Sequence, residues 1–286
     1  MNIRDVYRQH RTVFSCEVFP PKKEGAEVNA LYDTLARIAG LSPAFVSVTC
    51  GVDGKSKTVD IADYIQKRHD IPSMAHLTCL AALRADVDRA LAVMHERGVE
   101  NVLALRGDIP TDQGMSSSPD YRYAEDLIRD LRAREESLCI GAACYPEGHI
   151  ECDDISLDIE HLRRKQEAGA DFFVTQLFFE NDMFYRFIER ALKAGITKPI
   201  SAGVMPILSR SQIQRMIFLC GASLPSVIIK MLNKYEHSPE ALSAAGIEYA
   251  CSQVRNLAEH GADGVHIYTM NRPQIAEACA SALGWA

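Results

Sequence analysis

The chain has 286 residues, 47% of them hydrophobic, and a formal net charge of −7. That length supports one large domain or two ordinary ones with a sizeable core, and the acidic balance argues against nucleic-acid binding, which needs a basic patch. No apolar stretch reaches membrane-spanning length and no signal-type segment follows the charged opening MNIRDVYRQHR, so a cytoplasmic protein without a membrane partner is expected.

The first dozen residues read as a short polar helix or a loose end. Val13–Phe19 then reads as a strand stopped by Pro20-Pro21, because proline cannot donate to a ladder. Helical spacing over Glu27–Gly40 (Val28, Leu31, Leu35, Ile38) closes on a glycine suited to a C-cap. Ala44–Cys50 is a second strand, followed by a Gly/Asp/Lys loop and a helix over Thr58–Arg68. Ser73–Cys79 is the third strand, with a helix over Arg84–Arg97 ending at Gly98. The short apolar run Asn101–Leu105 is the fourth, and it stops on Arg106-Gly107-Asp108.

A helix over Tyr121–Glu135 follows, then a fifth strand over Leu138–Tyr145 and a helix over Ile155–Ala168 ending at Gly169. Phe172–Phe179 reads as the sixth strand, with a helix over Asn181–Ala194 ending at Gly195. Pro199–Met205 is the seventh, with a helix over Ser209–Cys220 and room for a second short one. A long helix covers Pro239–His260, the eighth strand Gly264–Met270, and the last helix Arg272–Leu283. Eight strands alternating with eight or more helices fit a single α/β domain over residues 1–286, a (β/α)8 TIM barrel. The recurrence of helix, glycine, strand at Gly98, Gly169, Gly195 and Gly261 supports it. A doubly wound sheet is the alternative, but the first strand–helix turn lacks a glycine fingerprint. The soft stretch Thr111–Asp120 reads as an active-site loop rather than a linker.

Nine cysteines, an odd number without a C-x-x-C pair, read as reduced structural thiols. No metal constellation is apparent, since Glu147 and His149 lack a third partner at ligand spacing. Barrel enzymes build their sites at the carboxyl ends of the strands. Those ends carry Glu17, Thr49, His76, Thr78, Asp108, Tyr145, Gln176, Tyr268, Asn271 and Arg272, a polar set on otherwise apolar strands. Glu17, between Cys16 and Val18, reads as an ion pair with Lys22, Lys23 or Arg272, or as a general acid held protonated by apolar surroundings. Asp108 either caps the next segment or takes part in chemistry. His76 alone reads as a core histidine. Gln176, among Phe172, Phe173, Phe178 and Phe179, is an amide needing partners, such as the edge of a heteroaromatic ring. Arg163-Arg164-Lys165 is a solvated helix face or a phosphate clamp at the barrel rim.

Eight strings in order, SCEVFPPK, FVSVTCG, HLTC, ALRGDIP, AACYPEGH, LRRKQEAGAD, TQLFF and IYTMNR, give the chain a specific resemblance to the bacterial methylenetetrahydrofolate reductases. The resemblance implies a flavoprotein that binds FAD at the barrel mouth. It would reduce 5,10-methylenetetrahydrofolate to 5-methyltetrahydrofolate with NADH or NADPH in a ping-pong cycle, feeding one-carbon metabolism and methionine synthesis. By position, Glu17 resembles the general acid, and Asp108 the acid beside flavin and pterin. Gln176 resembles a folate-binding amide and Arg272 a residue of the same pocket. Thr49, His76, Arg106, Gly107, Asp108, Tyr123, Tyr145, His149, Asp158, His161, Arg164 and Lys165 stand at FAD-contact positions, the last two near the pyrophosphate.

Three departures are visible. His161 replaces a common asparagine, Met216 an aromatic that packs on nicotinamide or folate, and Ala202 a proline before Gly203. The resemblance also implies a homo-oligomer. Competing readings are a flavin-free pterin barrel, an inactive folate-binding subunit, and a reductase fed by a protein electron donor.

Overall fold

The computed structural model describes residues 1–9, 12–21, 23, 25–50, 57–80, 82–107 and 120–285. Eight strands, β1 (Val13–Val18), β2 (Phe45–Val48), β3 (Ser73–Thr78), β4 (Asn101–Leu105), β5 (Cys139–Cys144), β6 (Phe172–Thr175), β7 (Ile200–Val204) and β8 (Gly264–Tyr268), pair in chain order, and β8 returns to β1. Every pairing is parallel, from Ser15 opposite Phe45 round to Val13 opposite Gly264, so the sheet closes as the alternation predicted. The intervening helices are α2 (Ala26–Ala39), α3 (Thr58–His69), α4 (Arg84–Arg97), α5 (Ala124–Arg134), α6 (Ile155–Ala168), α7 (Asn181–Lys193), α8 (Arg210–Cys220), α9 (Ser226–Lys234), α10 (Pro239–Glu259) and α11 (Pro273–Ala282), with α1 (Ile3–Gln9) ahead of the barrel. Among the described residues no helix is long and apolar enough to cross a membrane.

The two faces of each strand bury into different cores. Cys16, Val18, Val46, Val48, Ala75, Val102 and Ile140 face outward into one large cluster with Leu31, Leu35, Ile61, Leu127 and Leu131 of the helices. Val13, Phe45, Met74, Leu103 and Phe172 face inward and fill the lower barrel. Alternation therefore points Ser15 and Glu17 of β1, Ser47 of β2 and His76 of β3 to the inside. Large rings fit there because small residues oppose them. A Cβ at Gly141 would meet the Phe172 ring at 2.7 Å, and one at Gly203 would meet the Thr175 carbonyl oxygen at 2.4 Å.

α1 is a plug rather than a loose end. Ile3 and Val6 are buried in the inner cluster. Asn101, fully buried at the start of β4, accepts from the Ile3 N–H (2.8 Å) and donates to the Met1 and Ser73 carbonyls (3.2 and 3.0 Å). Polar residues of this short helix are anchors, with Arg4 bonding Asp171 (3.5 Å) and Tyr7 bonding Ser201 (2.7 Å). This closes the amino-terminal face of the barrel.

The other difference lies in β6, which ends at Thr175 rather than Phe179. The Gln176 N–H still bonds the Cys144 carbonyl at 2.8 Å, but the next carbonyls leave the ladder. Gln253 Nε2 donates to Phe178 O (3.0 Å) and Tyr249 Oη to Phe179 O (2.5 Å), so α10 satisfies that backbone in place of a neighbouring strand. Leu177 and Phe179 are thereby freed to join Met205, Ile207, Ile213 and Ile228 in a third cluster under α8, α9 and α10.

Candidate active site

Glu17 stands at the centre of the mouth, its side chain only 9% exposed. Its Oε2 lies 3.5 Å from Ser47 Oγ, 3.5 Å from His76 Nε2 and 3.6 Å from His266 Nε2. Of the cations named for an ion pair with it, neither Lys23 nor Arg272 reaches it, and Lys22 lies outside the described residues. Burial, and secondarily the facing His266, pull the His76 pKa down to about 4, against the opposing pull of Glu17. His76 is therefore a neutral neighbour at ordinary pH, and its buried Nε2 makes no hydrogen bond among the described residues. Below Glu17, Ser15, Ser47 and His266 are all fully buried.

A second group forms where β4 and β5 end and α6 begins. The Asp154 carboxylate caps α6 by accepting from the Ser156 N–H at 2.8 Å, which directs the first turns at the mouth. Arg106 holds Glu151 through two bonds (2.6 and 2.7 Å), which raises the guanidinium and depresses the Glu151 carboxyl. Tyr145 and His149 pack edge to face, with ring centroids 4.7 Å apart. Lys165 turns inward, 2.9 Å from the Ala143 carbonyl and 5.4 Å from the Tyr145 ring centre. Burial lowers the Lys165 pKa while Asp158 opposes that shift; burial raises Asp158 while Lys165 and His149 oppose it. Burial and the neighbouring Arg106 also lower His149. Tyr123 lies half exposed close enough to act on Arg106.

The basic run splits by direction. Arg163 pairs with Glu160 and Glu167 along the helix and is the solvated face, Arg164 is exposed at the rim, and only Lys165 points in. Cys152, Asp158 and His161 bring sulfur, oxygen and nitrogen within 4.8 Å of one another, a grouping the sequence reading did not register.

The remaining wall comes from β6 and β8. Gln176 Oε1 accepts from the Leu177 N–H at 2.9 Å, which fixes the amide plane and leaves its N–H2 as the donor end. Tyr268 Oη donates to the Thr175 carbonyl (2.7 Å), Thr175 Oγ1 accepts from the Gly203 N–H (2.8 Å), and Thr269 Oγ1 donates to the Glu17 carbonyl (2.6 Å). Met270 and Asn271 both have positive φ, 52° and 54°, a costly conformation for residues with a Cβ. It is held because Asn271 bonds both Phe19 N–H (2.8 Å) and Phe19 C=O (2.9 Å), locking the end of β1 to the end of β8. Arg272 follows, exposed, as the N-cap residue of α11.

The methylenetetrahydrofolate reductase model matches residues 2–284. The chain belongs to that family. A 5,10-methylenetetrahydrofolate reductase of Pectobacterium carotovorum is 32% identical over 278 residues, covering 96% of this chain and 91% of the relative. Methylenetetrahydrofolate reductase (NADH) 1 of Arabidopsis thaliana is 34% identical over 283 residues, and reductase 1 of Schizosaccharomyces pombe 35% over 281. The chain spans about half the length of these last two, 48% and 46%. Among solved structures, a Clostridium thermocellum protein described as binding two copies of 5-methyl-5,6,7,8-tetrahydrofolic acid superposes with a TM-score of 0.69 at 14% identity, covering 99% of this chain and 97% of that one. At that identity the likeness is one of fold.

In this methylenetetrahydrofolate reductase family member, Glu17 and His76 meet directly. Arg106, Tyr145, His149, Asp158 and Lys165 form one neighbourhood. Thr49 follows β2, and its carbonyl accepts from Thr58 Oγ1 at 2.8 Å. Gly107 has φ +89° and would place a Cβ 3.0 Å from Thr78, so glycine is required both for its conformation and for its closeness to β3. Asp108 lies outside the described residues, as does the predicted loop 111–120 apart from Asp120, which accepts from the Arg84 N–H at 2.8 Å. Sequence reasoning missed Ser15, Ser47 and His266. Their signal was present: Ser47 is two residues before Thr49, and His266 two before Tyr268, on the same strand faces.

Proposed function

We propose that this chain reduces 5,10-methylenetetrahydrofolate to 5-methyltetrahydrofolate, with FAD held at the barrel mouth and NADH or NADPH as the electron source. The observation that carries the reading is Glu17. It is a carboxyl group buried at the open end of a family barrel, faced by a hydroxyl and two imidazoles, with no lysine or arginine paired to it among the described residues. A structural carboxylate would carry a cation there; a proton donor does not need one.

The residues present fit FAD. Arg106 Nε and His76 Nε2 are buried polar atoms without hydrogen-bond partners among the described residues, and both lie at the mouth. Thr49, His76, Arg106, Gly107 and Asp108 would hold the ring system. Tyr123, Tyr145, His149, Asp158 and His161 would hold the remainder, with Arg164 and Lys165 at the pyrophosphate. FAD when bound supplies the hydride chemistry, accepting from the nicotinamide and delivering to the folate. Glu17 delivers a proton to the folate nitrogen as the methylene bridge opens, and then stays an anion until solvent returns one. Gln176, its carbonyl end committed to Leu177, presents N–H donors to an acceptor edge of the pterin. Arg272 completes that pocket and Asp108 sets the charge beside it.

The test is the visible spectrum of the purified protein before and after anaerobic addition of NADH, NADPH and then 5,10-methylenetetrahydrofolate. An oxidised-flavin band that bleaches with a nicotinamide and returns with the folate is expected. A colourless protein that cannot be reconstituted with FAD overturns the reading. A band that neither nicotinamide bleaches overturns the choice of donor.

A further inference from the structure

Beneath Glu17 the barrel interior carries a continuous polar chain where the fold would otherwise place aliphatic side chains. Ser15 Oγ lies 3.4 Å from the Val265 carbonyl and 2.7 Å from His266 Nδ1. Giving its single proton to the carbonyl assigns His266 Nδ1–H as the donor to Ser15 Oγ. In that tautomer Nε2 is the acceptor, facing Ser47 Oγ at 3.3 Å, with Glu17 Oε2 at 3.6 Å. Ser47 Oγ is 3.5 Å from Glu17 Oε2, and it owns one proton for two acceptors. The ring itself is clamped between Phe45, stacked at 5.9 Å, and Tyr268, edge-on at 5.5 Å. Register explains the assembly: Ser15 pairs with His266, and Glu17 with Ser47.

We propose that Ser47, His266 and Ser15 are positioning residues that let one buried carboxyl alternate between its two protonation states, deepening the general-acid reading of Glu17 on which the proposal rests. With Glu17 protonated, its O–H donates to Ser47 Oγ and the Ser47 O–H turns to His266 Nε2. Once Glu17 has given its proton to the folate nitrogen, the Ser47 hydroxyl rotates and donates to the carboxylate. No covalent bond other than the transferred O–H changes, and His266 keeps one tautomer throughout, fixed by Ser15. A carboxyl without this rotor would be matched to one state only, because a fixed donor favours the anion and a fixed acceptor favours the acid.

Among the described residues the other titratable groups facing Glu17 are His76 from β3 and Tyr268 from β8, and the variants leave both untouched. The test is an infrared titration of the Glu17 carboxyl band in the purified protein, identified by difference against Glu17→Gln. It needs no substrate turnover, so it stands even if the proposed activity fails. His266→Phe removes the acceptor and leaves Ser47 free to serve the anion, so the protonation midpoint falls by about one pH unit, a tenfold change. Ser47→Ala removes the donor to the anion, and the midpoint rises by a similar amount. His266→Gln, whose carbonyl can still accept, moves it less than His266→Phe does. In the variants' reaction, the alkaline limb of folate-dependent flavin reoxidation shifts from its wild-type position in the same directions, while flavin reduction by nicotinamide keeps its pH profile. Shifts of the same sign in His266→Phe and Ser47→Ala, or no shift in either, overturn the relay. Should His266→Phe not fold, an unchanged or lowered midpoint in Ser47→Ala overturns it alone.

Discussion

Replacing Glu17 by glutamine is the sharpest perturbation of the proposed chemistry. The amide matches the carboxyl in size and can still bond Ser47, so the barrel should keep its stability to within about 1 kcal/mol. What disappears is the proton. General acid catalysis contributes roughly 10²–10⁴-fold. The Glu17 side chain is 9% exposed, and its neighbours within 3.6 Å are a hydroxyl, a neutral His76 and His266, so no ready donor stands in for it. The loss should therefore fall in the upper part of that range, about 10³–10⁴-fold or roughly 4–5 kcal/mol of barrier. The assay is anaerobic stopped-flow of each half-reaction separately, with flavin absorbance as the signal. Reduction by nicotinamide needs no acid and should stay within about twofold of wild type, whereas reoxidation by 5,10-methylenetetrahydrofolate should carry the whole defect. Equal impairment of the two halves would refute the role given to Glu17.

Lys165→Met should weaken FAD binding about 10- to 100-fold, since an inward ammonium beside Asp158 and Tyr145 is lost; recovery of flavin fluorescence on dilution measures it, and unchanged affinity rejects the contact. Gly246→Ala should destabilise by about 2–3 kcal/mol despite alanine's better helix propensity, because its Cβ would lie 1.8 Å from Ile207 O. A raised thermal midpoint would contradict the close packing of α10 on that turn. Asn101→Ala should cost about 2–4 kcal/mol through its three buried bonds to Met1, Ile3 and Ser73, and should expose the amides of α1 to hydrogen exchange. His76 binds its proton at about 4 when folded, against 6.5 ordinarily. Between those values the unfolded chain takes a proton that the native one refuses, so stability falls as pH drops through that window, by at most about 3 kcal/mol. Denaturant titrations at pH 7 and pH 4.5 should show His76→Asn losing less on acidification than wild type, and a constant gap would refute that assignment.

The family strings and the mouth residues could be read directly because parallel barrels repeat a local grammar. Apolar runs of strand length alternate with helical spacing, and Gly98 and Gly169 end α4 and α6 in the left-handed conformation, whereas Gly40, read as a C-cap, closes α2 at φ −59°. Helices α4 and α6 keep their predicted bounds for the same reason: caps and periodicity are properties of neighbouring residues. The failures fall where the deciding partner is far along the chain. The stretch Phe172–Phe179 looks like one strand, yet Gln253 and Tyr249, some 70 residues on, take its last carbonyls. The opening helix looks polar and loose until Asn101 and Ser201 are brought to it.

The site divides the same way. Local pattern marked Glu17, His76 and Gln176 as polar residues at apolar strand ends, and spacing placed Arg163, Arg164 and Lys165 on one helix. It could not separate Lys165, buried on Ala143 O, from Arg163, spent on Glu160 and Glu167, because that depends on which side of α6 meets the barrel. Sequence alone thus determined the alternation, the barrel and the chemical types at its mouth, since these follow from periodicity and composition. Only the closure of β8 onto β1 decided what Glu17 faces. It brings His266, 249 positions away, to the carboxyl that the β1–β2 pairing already sets beside Ser47, because register across a closed sheet is fixed by the whole barrel and by no segment of it.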